Sequence, residues 1–176
     1  MQQTLLALVA LLIATFLSFN QKQAAVQNQA QVVRAEMEQM ALGVARETMN
    51  VIQARAFDRA TAGVPRDSIV PTSEFEEKSS IQSSILDCAA FGGTDECNDV
   101  DDFYGDIATV PFTFPTGSFE FEVNINVQYV NADLESTAGG TKSDRKQVIL
   151  EVQDDPSSGS PRLPEPIKYT EVVSYP

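Results

Sequence analysis

The stretch that decides the fold is the first one, MQQTLLALVALLIATFLSF over residues 1–19, which carries no charged side chain. The first charge in the chain is Lys22. Nineteen residues of α-helix rise about 28 Å, close to the hydrocarbon thickness of a bilayer. The stretch therefore predicts a membrane-competent helix through which the chain is anchored or assembled.

The residues around this stretch are not those of an ordinary signal peptide. Such a peptide normally opens with basic residues and ends at a cleavage site of small residues. This chain opens Met1-Gln2-Gln3-Thr4 and continues after Phe19 as NQKQ, so neither feature is present. The chain also lacks the basic residues that usually flank a plain membrane anchor. Both difficulties disappear if Met1 is a processed N-terminus whose basic leader has been removed, and we expect that processing.

Apolar residues continue beyond residue 19 at steps of three and four, the spacing of one helix face. Pro65 is the first proline in the chain, and Gly43 costs a helix only about 1 kcal/mol relative to alanine. We expect one helix from near the N-terminus to about Ala60, stopped by Gly63 and Pro65. Two helices joined by a hinge at Asn20–Gln23 are the alternative. The apolar face consists of Val26, Ala30, Val33, Met37, Met40, Val44, Thr48 and Val51.

An alternation of apolar and polar residues marks the C-terminal part as β-sheet. It runs from Phe119 to Tyr129 and predicts an antiparallel strand with one buried face. Further strands are expected at Val110–Phe114, Lys146–Val152 and Ile167–Tyr175. Three or four antiparallel strands covering a helix give an α+β fold, a long hydrophobic-to-amphipathic helix packed by a small sheet. The residues predicted to face inward are Phe119, Phe121, Val123, Ile125, Val127 and Tyr129, followed by Val148, Leu150 and Val152.

Turn residues separate these strands. Thr116-Gly117 precedes the longest strand, and Gly139-Gly140 marks the tip of the loop that follows it. The chain is therefore expected to contain a hydrophobic membrane or assembly helix over 1–25, its amphipathic continuation over 26–62, a connecting region with the cysteines over 63–110, and the antiparallel sheet over 111–176.

The two cysteines of the chain, Cys88 and Cys97, lie in a glycine-containing acidic loop. A disulfide that closes a short loop in an oxidising compartment is the expected pairing. Two free thiols in a reducing compartment are the alternative.

The same loop carries a cluster of carboxylates. Asp99, Asp101 and Asp102 invite a calcium site, because calcium takes six to eight oxygen ligands. The spacing does not match an EF-hand, since Gly105 is misplaced and no glutamate follows at the right distance. We therefore expect no metal, and a solvated acidic loop pinned by the disulfide.

Charge and composition exclude several classes of function. The net charge is −13, so binding of nucleic acid through a basic patch is not expected. The chain has no histidine, which removes the usual general base, the common catalytic triads and the commonest zinc ligand. We expect neither an enzyme nor a cofactor.

The layout of the whole chain resembles a mature type IV pilin or pseudopilin. The resemblance lies in an uncharged apolar N-terminal helix, its amphipathic extension, and an acidic domain with a disulfide loop and a β-meander. The string QARAFD over residues 53–58 also resembles pilin-like sequences. One departure is clear: most bacterial type IV pilins have glutamate at the fifth mature residue, where this chain has Leu5. Proline is also absent near position 22, where many pilins let the helix melt in the filament.

The resemblance implies a structural subunit of an extracellular, pilus-like filament or fimbrium. Identical subunits would assemble into a helical homo-oligomer after residence in the inner membrane, and Met1 would be the processed, methylated N-terminus. A minor pilin or pseudopilin of a secretion system, and a membrane-anchored extracytoplasmic binding module, are the alternatives. The residues expected to pack in the filament core are Leu5, Leu6, Leu8, Val9, Leu12, Ile13 and Phe16.

Overall fold

The chain divides into two units, Met1–Met37 and Glu38–Pro176, which are described separately. The computed structural model describes residues 2–65, 68–81, 85–114, 117–137, 141–154 and 163–175 of the 176. Within these ranges, the side chains of residues 2–8, 10, 78, 79 and 114 lie outside the description.

Helix α1 runs from Gln2 to Gln53 as one element, so the predicted long helix is confirmed and no hinge interrupts Asn20–Gln23. Its predicted apolar face has two environments. Val26 and Val33 are exposed, whereas Met37, Val44 and Thr48 are buried. The periodic face is therefore covered only in its later part.

The predicted end of α1 near Ala60 is wrong, because the helix stops at Gln53. Ala56 leaves the helix and pairs with a distant segment: its N–H donates to the carbonyl of Asn98 at 3.2 Å, and its carbonyl accepts from Val100 N–H at 2.9 Å. Asp58 then begins a new turn as a capping residue. Tertiary hydrogen bonds thus replace the helical ones that the local sequence favours.

Four antiparallel strands follow in a simple meander of order β1-β2-β3-β4. The strands predicted from the alternation are all confirmed, and β1 begins three residues before its predicted start. The strands are β1 Ile107–Phe114, β2 Gly117–Tyr129, β3 Arg145–Asp154 and β4 Ile167–Ser174. The short helices are α2 Lys78–Ile81 and the 3₁₀ turns Arg59–Thr61, Thr72–Glu74, Ala89–Phe91 and Asp101–Phe103.

The core of the second unit combines one face of the sheet with one face of α1 after residue 38. Cross-strand neighbours such as Val123 and Val152, or Ile125 and Leu150, are all buried, as the alternation predicts. Thr116, Gly139 and Gly140 lie outside the described residues. The helical contribution to the core consists of Ala41, Val44, Ala45, Met49 and Ile52.

An aromatic cluster closes the core beyond the end of α1. The ring centroids of Phe57, Phe75 and Tyr175 lie 5.3 to 5.5 Å from one another. Tyr129 at the end of β2 is buried in the same cluster. The cluster thus includes Phe57, which lies in the irregular segment that follows α1.

Candidate functional site

The first candidate is the side-chain surface of α1 between residues 9 and 33, here called the apolar helix surface. Every large apolar side chain described there is exposed, including Val9, Leu12, Ile13 and Phe16 of the predicted filament core. The other exposed members are Leu11, Leu17, Phe19, Val26, Val32 and Val33. Met1 and the side chains of Leu5, Leu6 and Leu8 lie outside the described residues.

Between Val9 and Phe19 this surface has no polar side, since only Thr15 and Ser18 are polar there, whereas eight of the twelve residues 20–31 are polar. Successive helical residues are rotated by about 100°, so neighbours such as Leu11, Leu12 and Ile13 point in different directions. A helix that is apolar all round is normally buried, and large exposed apolar patches mark interaction sites. The surface is therefore suited to contacts on several sides at once.

The predicted membrane span Met1–Phe19 includes residues whose side chains lie outside the description. Within the described part of the chain, no helix is both long enough and apolar enough to cross a membrane.

The second candidate is a group of buried charges around Lys146, here called the Lys146 cluster. The side chain of Lys146 is fully buried on the inward face of β3. Its Nζ donates to the carbonyl of Phe57 at 2.7 Å and to Asp58 Oδ2 at 3.0 Å, and it contacts Asp101 Oδ2 directly. The rings of Phe57 and Tyr129 lie 4.4 and 4.9 Å from Nζ and add cation–π attraction.

Asp58 is held in its ionised form by several donors. Its Oδ1 accepts from Ala60 N–H at 3.1 Å, and its Oδ2 accepts from Glu76 N–H at 3.1 Å and from the Tyr129 hydroxyl at 2.9 Å. Burial alone would raise its pKa, but Lys146 and these hydrogen bonds outweigh burial and lower the pKa below its usual value.

Asp101 has the opposite environment. Its Oδ2 contacts Lys146, but its Oδ1 is buried and has no hydrogen-bond partner among the described residues. Burial raises the pKa of Asp101 to about 8 in spite of Lys146, and the nearby charges of Asp99 and Asp58 add to that rise. The pKa values of two carboxyl groups that share one lysine are therefore shifted in opposite directions, because one group has fixed donors and the other does not.

The calcium ligand set considered from the sequence does not form. Asp99 Oδ1 accepts from the N–H groups of Asp101 and Asp102, and Asp102 Oδ2 accepts from Asn98 N–H at 2.8 Å. These oxygens accept from backbone N–H groups of their own loop, and Asp102 Oδ1 also accepts from Arg59 at 3.5 Å. No metal-binding group of three or more acidic, cysteine or histidine side chains occurs among the described residues.

The expectation of a solvated acidic loop is wrong for its later part, whereas Asp87 and Glu96 are exposed as expected. Asp99, Asp101 and Asp102 are buried, because each turns inward to meet backbone donors or the Lys146 cluster. The predicted disulfide between Cys88 and Cys97 is confirmed, with 5.5 Å between the Cα atoms. The disulfide closes the segment from Cys88 to Cys97, and hydrogen bonds to the buried carboxylates of Asp99 and Asp102 order the residues that follow.

Sequence reasoning missed the Lys146 cluster, although one signal for it was present. Lys146 has the same parity along β3 as Val148, Leu150 and Val152, so the alternation places it on the buried face. A lysine at such a position requires buried acceptors. The identities of those acceptors, Asp58 and Asp101, depend on contacts that no local pattern encodes.

No protein-family model, curated protein or solved structure matches this chain.

Proposed function

We propose that this chain is a structural subunit of a pilus-like filament that polymerises through the apolar helix surface. The observation that supports the proposal is the exposure of large apolar side chains on all sides of α1 between residues 9 and 19, continued by the exposed Val26, Val32 and Val33. A bundle of identical helices supplies neighbours on every side, which a single docking partner does not.

Charge favours copies of the same chain as the occupant of that surface. The protein carries a net charge of −13, which opposes self-association over most of its surface. Between residues 9 and 33, however, Lys22 is the only charged residue. Copies of α1 can therefore pack against each other there with Lys22 as the one charge per copy to keep apart.

The architecture is consistent with the proposal. A long N-terminal helix, a small antiparallel sheet and a disulfide-closed loop are the features on which the pilin resemblance rests. Location in an extracellular filament, residence in a membrane before assembly, and processing at Met1 remain predictions that accompany this function.

The test is a charge placed within the apolar helix surface of the full-length protein. Phe16 is 68% exposed, and Phe16→Asp should raise the protein concentration needed for assembly at least about tenfold, because a buried interface cannot accept an unpaired carboxylate. Sedimentation measures the assembled fraction, and electron microscopy shows whether it consists of regular fibres.

The matched control is Ile69→Asp, which places the same charge at an apolar side chain that is 76% exposed outside α1. This variant should assemble as the unaltered chain does. If Phe16→Asp also assembles normally, the proposal is wrong. If none of the three proteins forms fibres at any concentration, the alternative of a membrane-anchored binding module is favoured instead.

A further inference from the structure

The Lys146 cluster brings a primary amine and a carboxyl group into contact in an environment closed to water. Nζ of Lys146 touches Oδ2 of Asp101, and both side chains are buried. In water such groups are ionised and do not react. In a site without water the ionised forms are less favoured, so the neutral, reactive forms become accessible. Because the two groups are held together, their effective concentration is also very high.

We propose that Lys146 and Asp101 condense to an intramolecular amide bond, with Asp58 as the catalytic base. The bond would join β3 covalently to the turn Asp101–Phe103. This inference concerns the interior of the second unit and does not depend on the filament proposal.

The reaction balances without any further reactant. A proton first moves from Nζ to Asp101 Oδ2, which gives a neutral amine and a neutral carboxylic acid. The nitrogen lone pair attacks Cγ of Asp101 and forms the C–N bond, while Asp58 takes a proton from that nitrogen. Asp58 then returns the proton to the departing hydroxyl oxygen, the C–O bond breaks, and one water molecule leaves.

Geometry assigns the two carboxyl groups to different roles. Asp58 Oδ2 lies 3.0 Å from Nζ, within reach of its proton, and backbone N–H groups with the Tyr129 hydroxyl hold that carboxylate in place. Asp101 is bound through one oxygen only, since its Oδ1 has no partner among the described residues. Its raised pKa is consistent with a neutral acid, the form that an amine can attack.

The amine is also fixed beside the carboxyl group of Asp101. The carbonyl of Phe57 accepts from Nζ at 2.7 Å and fixes its orientation. The aromatic rings of Phe57 and Tyr129 cover it and exclude water. The surroundings therefore orient the nucleophile and remove the solvent that would keep both partners charged.

The test begins with the unaltered full-length protein, which needs no mutation to answer the question. After reduction of the disulfide, its intact mass should be lower than the sequence mass by one water molecule. A protease digest should contain a branched peptide that joins Lys146 to Asp101, and trypsin should fail to cleave after Lys146. A full sequence mass with two separate peptides would overturn the proposal.

The exposed ion pair between Lys168 and Glu151 is an internal control. Its Nζ and Oε1 lie 3.7 Å apart, but both side chains are in contact with solvent. Peptides that contain these two residues should be recovered unlinked from the same digest. A link there as well would point to a chemical artefact and count against the proposal.

Three variants test the separate roles of Asp101, Lys146 and Asp58 in the reaction. Asp101→Asn should mature to the same mass as the unaltered protein, because the asparagine amide loses ammonia and yields the same product. Lys146→Arg should keep its full sequence mass, and a missing water in that variant would show that the loss arises elsewhere. Asp58→Asn should accumulate unlinked chain, and complete linkage in that variant would overturn the role of Asp58.

Discussion

Lys146 occupies a position that the strand pattern reserves for an apolar side chain. Burial of an ammonium group is unfavourable unless acceptors replace the lost water, and Lys146 obtains them from Phe57, Asp58 and Asp101. The same contacts compensate for burial of the carboxylates. The lysine and its acceptors are therefore mutually dependent, and removal of one leaves the others uncompensated.

Replacement of the lysine should consequently cost more than a typical core substitution. Lys146→Met retains most of the side-chain volume but removes the nitrogen that donates to Asp58 and that is proposed to bond to Asp101, and it should lower the free energy of unfolding by at least about 3 kcal/mol. Denaturant titration of the full-length protein measures the loss. The control Lys168→Met removes an exposed pair with Glu151 and should change stability by no more than about 1 kcal/mol.

Asp99 should make the folded protein less stable as pH rises, whereas a carboxylate with a lowered pKa has the opposite effect. Burial, followed by the charge of Asp102, raises its pKa from 3.8 to about 6 in the folded state. Between these two values the folded protein binds more protons than the unfolded chain, so the contribution of Asp99 to stability falls as pH rises from about 4 to about 6.

Asp99→Asn keeps an acceptor for the N–H groups of Asp101 and Asp102 but cannot ionise. We expect this variant to be more stable than the unaltered protein at pH 7 by about 1–3 kcal/mol, with a flatter profile between pH 4 and 6. Denaturant titrations across pH 4 to 8 measure both effects. Glu151→Gln at an exposed position is the matched control, and an unchanged profile in Asp99→Asn would contradict the prediction.

At the scale of secondary structure, the sheet was predictable because its signal is local. The alternation from Phe121 to Tyr129 reports directly which side chains face the core. The end of α1 was not predictable, since Ala56 pairs with Asn98 and Val100, which lie far along the chain. The burial of the acidic loop was missed for the same reason: its partners are not its sequence neighbours.

Two glycines should respond to alanine with opposite signs. Gly43 lies on the exposed side of α1, and an added Cβ would meet nothing within 4 Å, so Gly43→Ala should stabilise the protein by about 0.5–1 kcal/mol. At Gly93 an added Cβ would lie 2.3 Å from the backbone carbonyl oxygen of Asp87, so Gly93→Ala should destabilise the disulfide loop. Thermal unfolding of both variants checks the pair, and equal shifts would contradict it.

For the molecule as a whole, the distribution of charge is uneven. Residues 1–21 carry none, and the rest of the chain gives a net charge of −13. Assembly through the apolar helix surface therefore has to bring strongly negative bodies close together. Repulsion between them is electrostatic and is screened by salt, whereas the apolar attraction is not.

The proposed filament should accordingly be favoured by salt. We expect the sedimentable fraction of the full-length protein to increase as sodium chloride rises from about 0.05 to about 0.5 M, because the Debye length shrinks over that range. Phe16→Asp should remain in the supernatant throughout. Dissolution by added salt would show that ion pairs, and not apolar contacts, hold the assembly together.

The way in which α1 ends has a mechanical consequence. The residues just after the helix, Ala56 to Asp58, are held by Asn98, Val100 and Lys146 and not by the helix itself. A tensile force applied along α1 would load the core packing of its buried face and these contacts before it reached the hydrogen bonds between the strands. The strength of this junction would therefore limit the force that a subunit pulled by its N-terminal helix can bear. A covalent bond from Lys146 to Asp101 would lie next to the junction, because Lys146 contacts Phe57 and Asp58.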